Sequence, residues 1–168
     1  MLRKDERVQA VLAAGQPLLA VLLAPVVSLL PLAIQRYDDP FLPFGKAVVQ
    51  ATRDIAQIYA FDLAAYLALG GAGAVALERT IRFVDENNLT IIHGPFNRQA
   101  FSGLTDIMSF GADAVTGLSI PPIGLISLNE QVLHIGSAIA RVITVGQDTY
   151  GAGDMPEYTN KIREQLLA

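Results

Sequence analysis

The sequence predicts an α/β domain built on a mostly parallel sheet, and three observations carry that expectation. Short apolar runs bounded by turn residues alternate with segments whose apolar positions recur at helical spacing. One of those runs, Leu18 to Leu23 (LLAVLL), is apolar without alternation, as a strand buried on both faces of a parallel sheet is. Strand alternating with helix at this spacing is the pattern of βαβ units with right-handed crossovers. With 168 residues, 52% of them hydrophobic and 17% charged, the chain is long enough for one buried core.

The elements follow in order. Leu2 to Ala14 carries Val8, Val11 and Leu12 behind a charged start and reads as a short amphipathic helix, stopped by Gly15 and Pro17. Leu18 opens the first strand. The stretch Pro17 to Ile34 has the length of a minimal membrane span, but Pro25 and Pro31 split it into strand-sized pieces, so no membrane is expected. Gln35 to Pro43 (QRYDDPFLP) reads as a loop, and Phe44 to Tyr59 as a surface helix with Val48, Val49, Ala51, Ile55 and Ile58 on its apolar stripe. Tyr59 to Tyr66 fits strand or helix. A glycine turn at Gly70-Gly71 precedes a helix from Gly73 to Val84. Leu89 to His93 (LTIIH) is a β-branched strand closed by Gly94-Pro95, Gln99 to Phe110 a weaker helix, and Ala112 to Thr116 another strand.

Beyond Thr116 the pattern blurs. Gly117 to Leu128 is apolar but broken by Pro121 and Pro122, so it is expected to lie across a sheet edge or face, because proline cannot donate to a ladder. Glu130 to Ala140 fits a helix, Arg141 to Gly146 a strand, and Asp154 to Leu167 a closing amphipathic helix. The sum is five or six strands in one domain. Its parts are an N-terminal helix over 1–16, βα units over 17–116, a divergent segment over 117–140 and a terminal strand and helix over 141–168.

Composition excludes several functions. The sequence has no cysteine, which removes disulfides, thiolate metal sites and a cysteine nucleophile and fits a cytoplasmic chain. A formal net charge of −4, a pI near 5.0 and no basic cluster longer than Arg3-Lys4 argue against nucleic acid as a partner. A mean hydropathy of +0.40 is high for a soluble chain and points to elements buried on several sides.

Four phrases in order resemble the longer bacterial branch of the orotidine 5′-monophosphate decarboxylases. They are PLLAVLLAP at Pro17, LPLAIQRYDDPFLPFGKAVVQATRDI from Leu30, YLALGGAGAVALERTI from Tyr66 and FGADAVT from Phe110. The tail ITVGQDTYGAGDMPEYTNKIREQL is similar to the last strand and helix of the shorter branch. The resemblance implies a shortened or incomplete (β/α) TIM-type barrel, a lyase of pyrimidine biosynthesis that works without a cofactor, and a homodimer. It also implies lysines and aspartates at the strand ends, to protonate the ring carbanion and oppose the substrate carboxylate. Matched residue by residue, those positions hold other residues. The first-strand aspartate falls on Ala24 and the second-strand lysine on Ala60. The D-x-K-x-x-D set falls on Gly94, Phe96 and Gln99, and the phosphate-binding arginine on Gln147. The expectation is therefore a decarboxylase-like scaffold without the activity. A lyase with relocated groups and a structural or interaction protein, natural or engineered, are the competing readings.

Candidate ligand-binding residues are weighed against plainer roles. Asp62, two positions past Ala60, either faces the barrel mouth or caps the next turn. His93, with Asn97, Arg98 and Gln99 beyond it, ends a strand at the face where barrels bind ligands, or else simply bonds to backbone. His134, with no acidic or histidine partner at helical spacing, reads as a surface helix residue, and no metal is expected. Gly70 to Gly73 lacks the spacing of a phosphate loop. Gly146 and Gln147, with Asp148, Gly151 and Gly153, correspond to the phosphate loop that the resemblance implies, so a nucleotide or phosphate is the expected small-molecule ligand. Last, five or six parallel strands leave two open edges, and these predict a homodimer through an interface rich in Leu, Val and Ala.

Overall fold

The structure, a computed structural model, describes residues 4–15, 17–120, 123–129, 131–147 and 154–168. Five parallel strands form its first half in space: β1 (Leu18–Leu23), β2 (Ile58–Asp62), β3 (Leu89–His93), β4 (Ala114–Val115) and β8 (Ala138–Val145). Three more, β5 (Ser119–Ile120), β6 (Gly124–Asn129) and β7 (Val132–Ile135), run as an antiparallel meander into β8. The sheet order is β4-β3-β2-β1-β8-β7-β6-β5, so eight strands pair where five or six were expected.

The ends of that order are consecutive in the chain. Beyond β4 the Gly117 amide donates to Ile126 O at 2.8 Å, and the Ile126 amide to Leu118 O at 3.1 Å. One length of chain thus pairs with β3 at its start and with β6 at its end, which leaves the sheet nearly closed into a barrel. Gly117 makes the bend at φ +83°, a conformation that costs a side-chain-bearing residue and not glycine. The expectation that Gly117 to Leu128 lies over an open edge is corrected accordingly; it supplies two of the strands, and Pro121 and Pro122 fall outside the described residues.

The helix expected over Glu130 to Ala140 is also corrected, since the described residues 131–140 form strands. Leu133 and Ile135 are buried while Val132 and His134 are half-buried, an alternation of period two, and Gly136 turns at φ +60° into β8. His134 accordingly sits on β7, opposite Ser127 and Ile139. Smaller corrections concern boundaries. The expected loop at 35–43 is invaded from both sides by α2 (Leu32–Gln35) and α3 (Phe41–Thr52), and α5 (Gly70–Phe83) begins at the glycines expected as a turn. Helix α6 (Arg98–Thr105) is shorter than expected because the Gly111 amide closes a turn on Asp106 O, with Gly111 at φ +70°.

Two apolar clusters sit on the two faces of the sheet. The outer cluster joins Val21, Leu23, Tyr59, Phe61 and Ile92 to the helices, through Phe44 and Val48 of α3, Leu77 of α5 and Ile162 of α7 (Met155–Leu167). The inner cluster holds Leu18, Ala20, Leu22, Ile58, Ala60, Leu89, Ile91, Ala114 and Val142, with Ile126, Leu133 and Ile135 from the meander. Val8 and Val11 of α1 (Lys4–Ala13) belong to this inner cluster, and Arg7 pairs with Asp113 at 3.2 Å. Helix α7 is tied to the loop after α3 by a two-pronged contact, Arg163 to Asp54 at 2.7 and 3.0 Å, which holds the Asp54 carboxyl below its ordinary range. Among the described residues no helix is long and apolar enough to cross a membrane.

Candidate functional site

Parallel strands put their last residues at one end of the barrel, and inner-face alternation decides which side chains gather there. On β2 the inner series is Ile58, Ala60, Asp62; on β3 it is Leu89, Ile91, His93; on β4 it continues from Ala114 to Thr116. Asp62 and His93 are register partners across β2 and β3. The His93 ring Nδ1 lies 3.0 Å from Thr116 Oγ1. Asp62, His93 and Thr116 therefore form a lateral row across three adjacent strands.

Asp62 and Thr116 each make a further bond. Asp62 Oδ1 accepts the Ala65 amide at 2.9 Å and caps α4 (Leu63–Leu67). Thr116, 3% exposed, also accepts the Gly94 amide at 3.2 Å and approaches Gly94 O at 3.4 Å. Asn97 is the N-cap of α6, its Oδ1 accepting from Gln99 and Ala100 amides at 3.1 and 3.0 Å. Arg98 opens that helix, and its side chain lies outside the described residues.

The other wall of this end is the exit of β8 against the exit of β1. The Ala24 amide donates to Val145 O at 3.0 Å and the Val26 amide to Gly146 O at 2.8 Å. The Gly146 amide donates to the Tyr158 hydroxyl at 2.7 Å. Gly146 sits at φ +90°, and a Cβ there would stand 2.7 Å from Pro25 Cα, so the two loops touch backbone to backbone. Gln147 is exposed beside it, and Asp148, Gly151 and Gly153 fall outside the described residues.

The positions at which the resemblance implies catalytic charge are filled differently. Ala24 is 1% exposed and Ala60 0%, both within the inner apolar cluster. Gly94 faces Phe96, whose ring would stand 2.8 Å from a Cβ at that position, and Phe96 packs toward the outer cluster. Gln99 is exposed on α6. Among the described residues no group of three or more His, Asp or Glu could hold a metal ion. Sequence reasoning did not single out Thr116 or Tyr158. The first was legible in principle, as the inner-face continuation of Ala114 in the FGADAVT phrase; the second has no local signal, since it reaches Gly146 from a helix.

No protein-family model matches the chain. Its sequence is similar to the orotidine 5′-phosphate decarboxylase of Flavobacterium johnsoniae, 35% identical over 69 residues, covering 41% of this chain and 25% of that one. The Thermomicrobium roseum enzyme of the same name is 33% identical over 79 residues, covering 47% and 28%. Among solved structures, a Toxoplasma gondii protein assigned as an orotidine monophosphate decarboxylase matches at a TM-score of 0.51 and 26% identity, covering 67% of this chain and 38% of that one. Sequence and structural neighbours are thus decarboxylases of one kind, and the scaffold is decarboxylase-like. The matched stretches span about a quarter of the curated relatives' length.

Proposed function

We propose that this chain is an orotidine 5′-phosphate decarboxylase-like scaffold that does not decarboxylate, and whose remaining ligand capacity is for a nucleotide phosphate at the end of β8. The observation that carries the first part is the burial of Ala24 and Ala60. Both methyls are packed in the inner cluster, so a charge at either site would face apolar neighbours without a counter-ion, at a cost of several kcal/mol. Nothing at these two positions can protonate a carbanion or oppose a carboxylate.

Support for the second part is the position of Gly146 and Gln147 at a strand end beside β1. An incoming phosphate would have to compete with Tyr158 for the Gly146 amide, so the affinity is expected to be weak, with Kd on the order of 1 mM, or about 4 kcal/mol. At about ten times that concentration, uridine monophosphate should stabilise the fold by about 1.4 kcal/mol and raise Tm by roughly 3 to 6 °C. An unchanged Tm at such concentrations contradicts phosphate binding, and release of carbon dioxide from orotidine monophosphate contradicts the non-catalytic reading. The homodimer is also kept as a proposal. Its support shifts from strand edges, which the meander occupies, to Leu125 and Ile139, 54% and 52% exposed on β6 and β8. Light scattering giving an 18.0 kDa particle at tens of micromolar would exclude it.

A further inference from the structure

Helix α1 covers the end of the barrel opposite the row at Asp62, since its neighbours Gln57 and Asn87 lie just before β2 and β3. With ten residues it is shorter than a helix that persists alone in water, so packing holds it in place. Val8 and Val11 supply the buried contacts, Leu12 is half-buried, and Gln9, Ala10, Ala13 and Ala14 are exposed. The helix belongs to no ladder of the sheet, so its release breaks no strand pairing. Gly15 follows at φ +93°, with open space around it.

The seat beneath it is ordered by the barrel alone. Asp113 Oδ2 accepts the Thr90 amide at 2.8 Å and the Thr90 hydroxyl at 3.0 Å, and the Asp113 amide donates back to Thr90 Oγ1 at 3.1 Å. Those bonds link β3 to the residue before β4 and fix the carboxylate whether or not α1 is seated. Asp113 Oδ1 is left for Arg7 Nη1, 3.2 Å away, with the two side chains 2% and 17% exposed. On one flank the helix fits loosely. Arg7 Nε is buried without a hydrogen-bond partner among the described residues. Beside it a cavity of about 230 Å³ lies between Arg7, Ala10 and Val11 and the facing Gln57, Glu86 and Asn87.

From this arrangement we propose that α1 is a latched plug in the floor of the barrel. It leaves and re-enters its seat as one unit while the sheet stays paired, with Gly15 as the hinge and the Arg7–Asp113 pair as the latch. Segments held by few buried apolar contacts are the ones that open below the free energy of global unfolding. Opening uncovers the apolar strand starts Leu18, Ile58 and Leu89, which share the inner cluster with Val8 and Val11, together with the carboxylate of Asp113. The occupant that this surface fits is α1 itself, apolar at Val8 and Val11 with a cation at Arg7. The latch sets how often the surface is exposed. With Arg7 replaced, Asp113 Oδ1 is buried without a partner when α1 is seated and hydrated when it is not, which shifts the population toward the open form.

Native-state hydrogen exchange on the full chain, followed by NMR at single amides, tests the plug. The amides from Val8 to Ala13 should share one protection factor, at least about tenfold above that of an unstructured peptide and at least about tenfold below that of β1. Arg7→Gln should speed exchange in α1 by about fivefold or more and leave β1 and β3 unchanged, and Arg7→Lys, which keeps the cation, should restore most of the protection. Should Arg7→Gln not fold, the wild-type pattern and Arg7→Lys decide alone. One common rate for α1 and β1 overturns the proposal, because the helix then opens only with the whole fold. A graded loss of protection along α1 overturns it as well, since that is fraying and not unit opening. So does an Arg7→Gln variant that leaves α1 unchanged or speeds α1 and β1 alike.

Discussion

Gly146 shows how a single residue serves the mouth of the barrel. Its amide is satisfied by Tyr158, its carbonyl by Val26, and its Cα lies against Pro25. Gly146→Ala should therefore cost more than the 1 to 2 kcal/mol of a left-handed residue alone, because the added methyl meets backbone that cannot move aside. Tyr158→Phe leaves the buried amide without a partner and should cost about 1 to 3 kcal/mol; urea denaturation measures both. Elsewhere in the core Tyr59, with its hydroxyl 2.9 Å from Thr52 Oγ1, is pushed up to about 12 by burial. A phenol harder to ionise when folded contributes stability that is present below the unfolded value of about 10 and lost as pH rises toward 12. The loss is on the order of 2 to 3 kcal/mol. Tm should accordingly fall across that window, and less so in Tyr59→Phe. A Tm that is flat from pH 10 to 12 would contradict the assignment. At this scale the sequence was partly legible: Asp62 was expected either at the mouth or as a cap, and the cap bond to Ala65 is present. The bond between His93 and Thr116 was not legible, since it joins residues 23 apart in sequence on neighbouring strands.

Among the elements, the meander differs most from expectation, and glycine conformation explains how it forms. Gly136 turns at φ +60° between β7 and β8, and a Cβ there would stand 1.9 Å from Ile123 O. Gly136→Ala should disrupt the β6–β7 hairpin and cost about 3 kcal/mol or more. Gly15→Ala, at φ +93° with open space around it, should cost only the strain of about 1 to 2 kcal/mol. Equal effects of the two in urea denaturation would contradict the packing described. Strands β1 and β3 were legible to the residue because both are continuous apolar or β-branched runs between turn residues. The segment 130–140 was not, because Val132, Leu133, Ile135, Ala138 and Ile139 satisfy a helical spacing as well as an alternating one. Only its pairing with β6 and β8 selects the strand.

For the whole molecule, the parallel βα half and the resemblance were legible in the chain itself, whereas closure was not. Closure depends on one stretch, from Ala114 to Ile120, that pairs parallel at one end and antiparallel at the other, with Gly117 between. Long-range pairing of that kind leaves no periodic trace. The barrel keeps an apolar interior, with Ala24 and Ala60 at the positions where the resemblance implies charge, and the proposed loss of decarboxylation follows from that interior. The most direct measurement is the turnover of orotidine monophosphate by the purified chain, followed as carbon dioxide released against a protein-free control. The predicted result is a rate indistinguishable from that control across neutral pH. Saturable release of carbon dioxide that grows in proportion to protein concentration would contradict it.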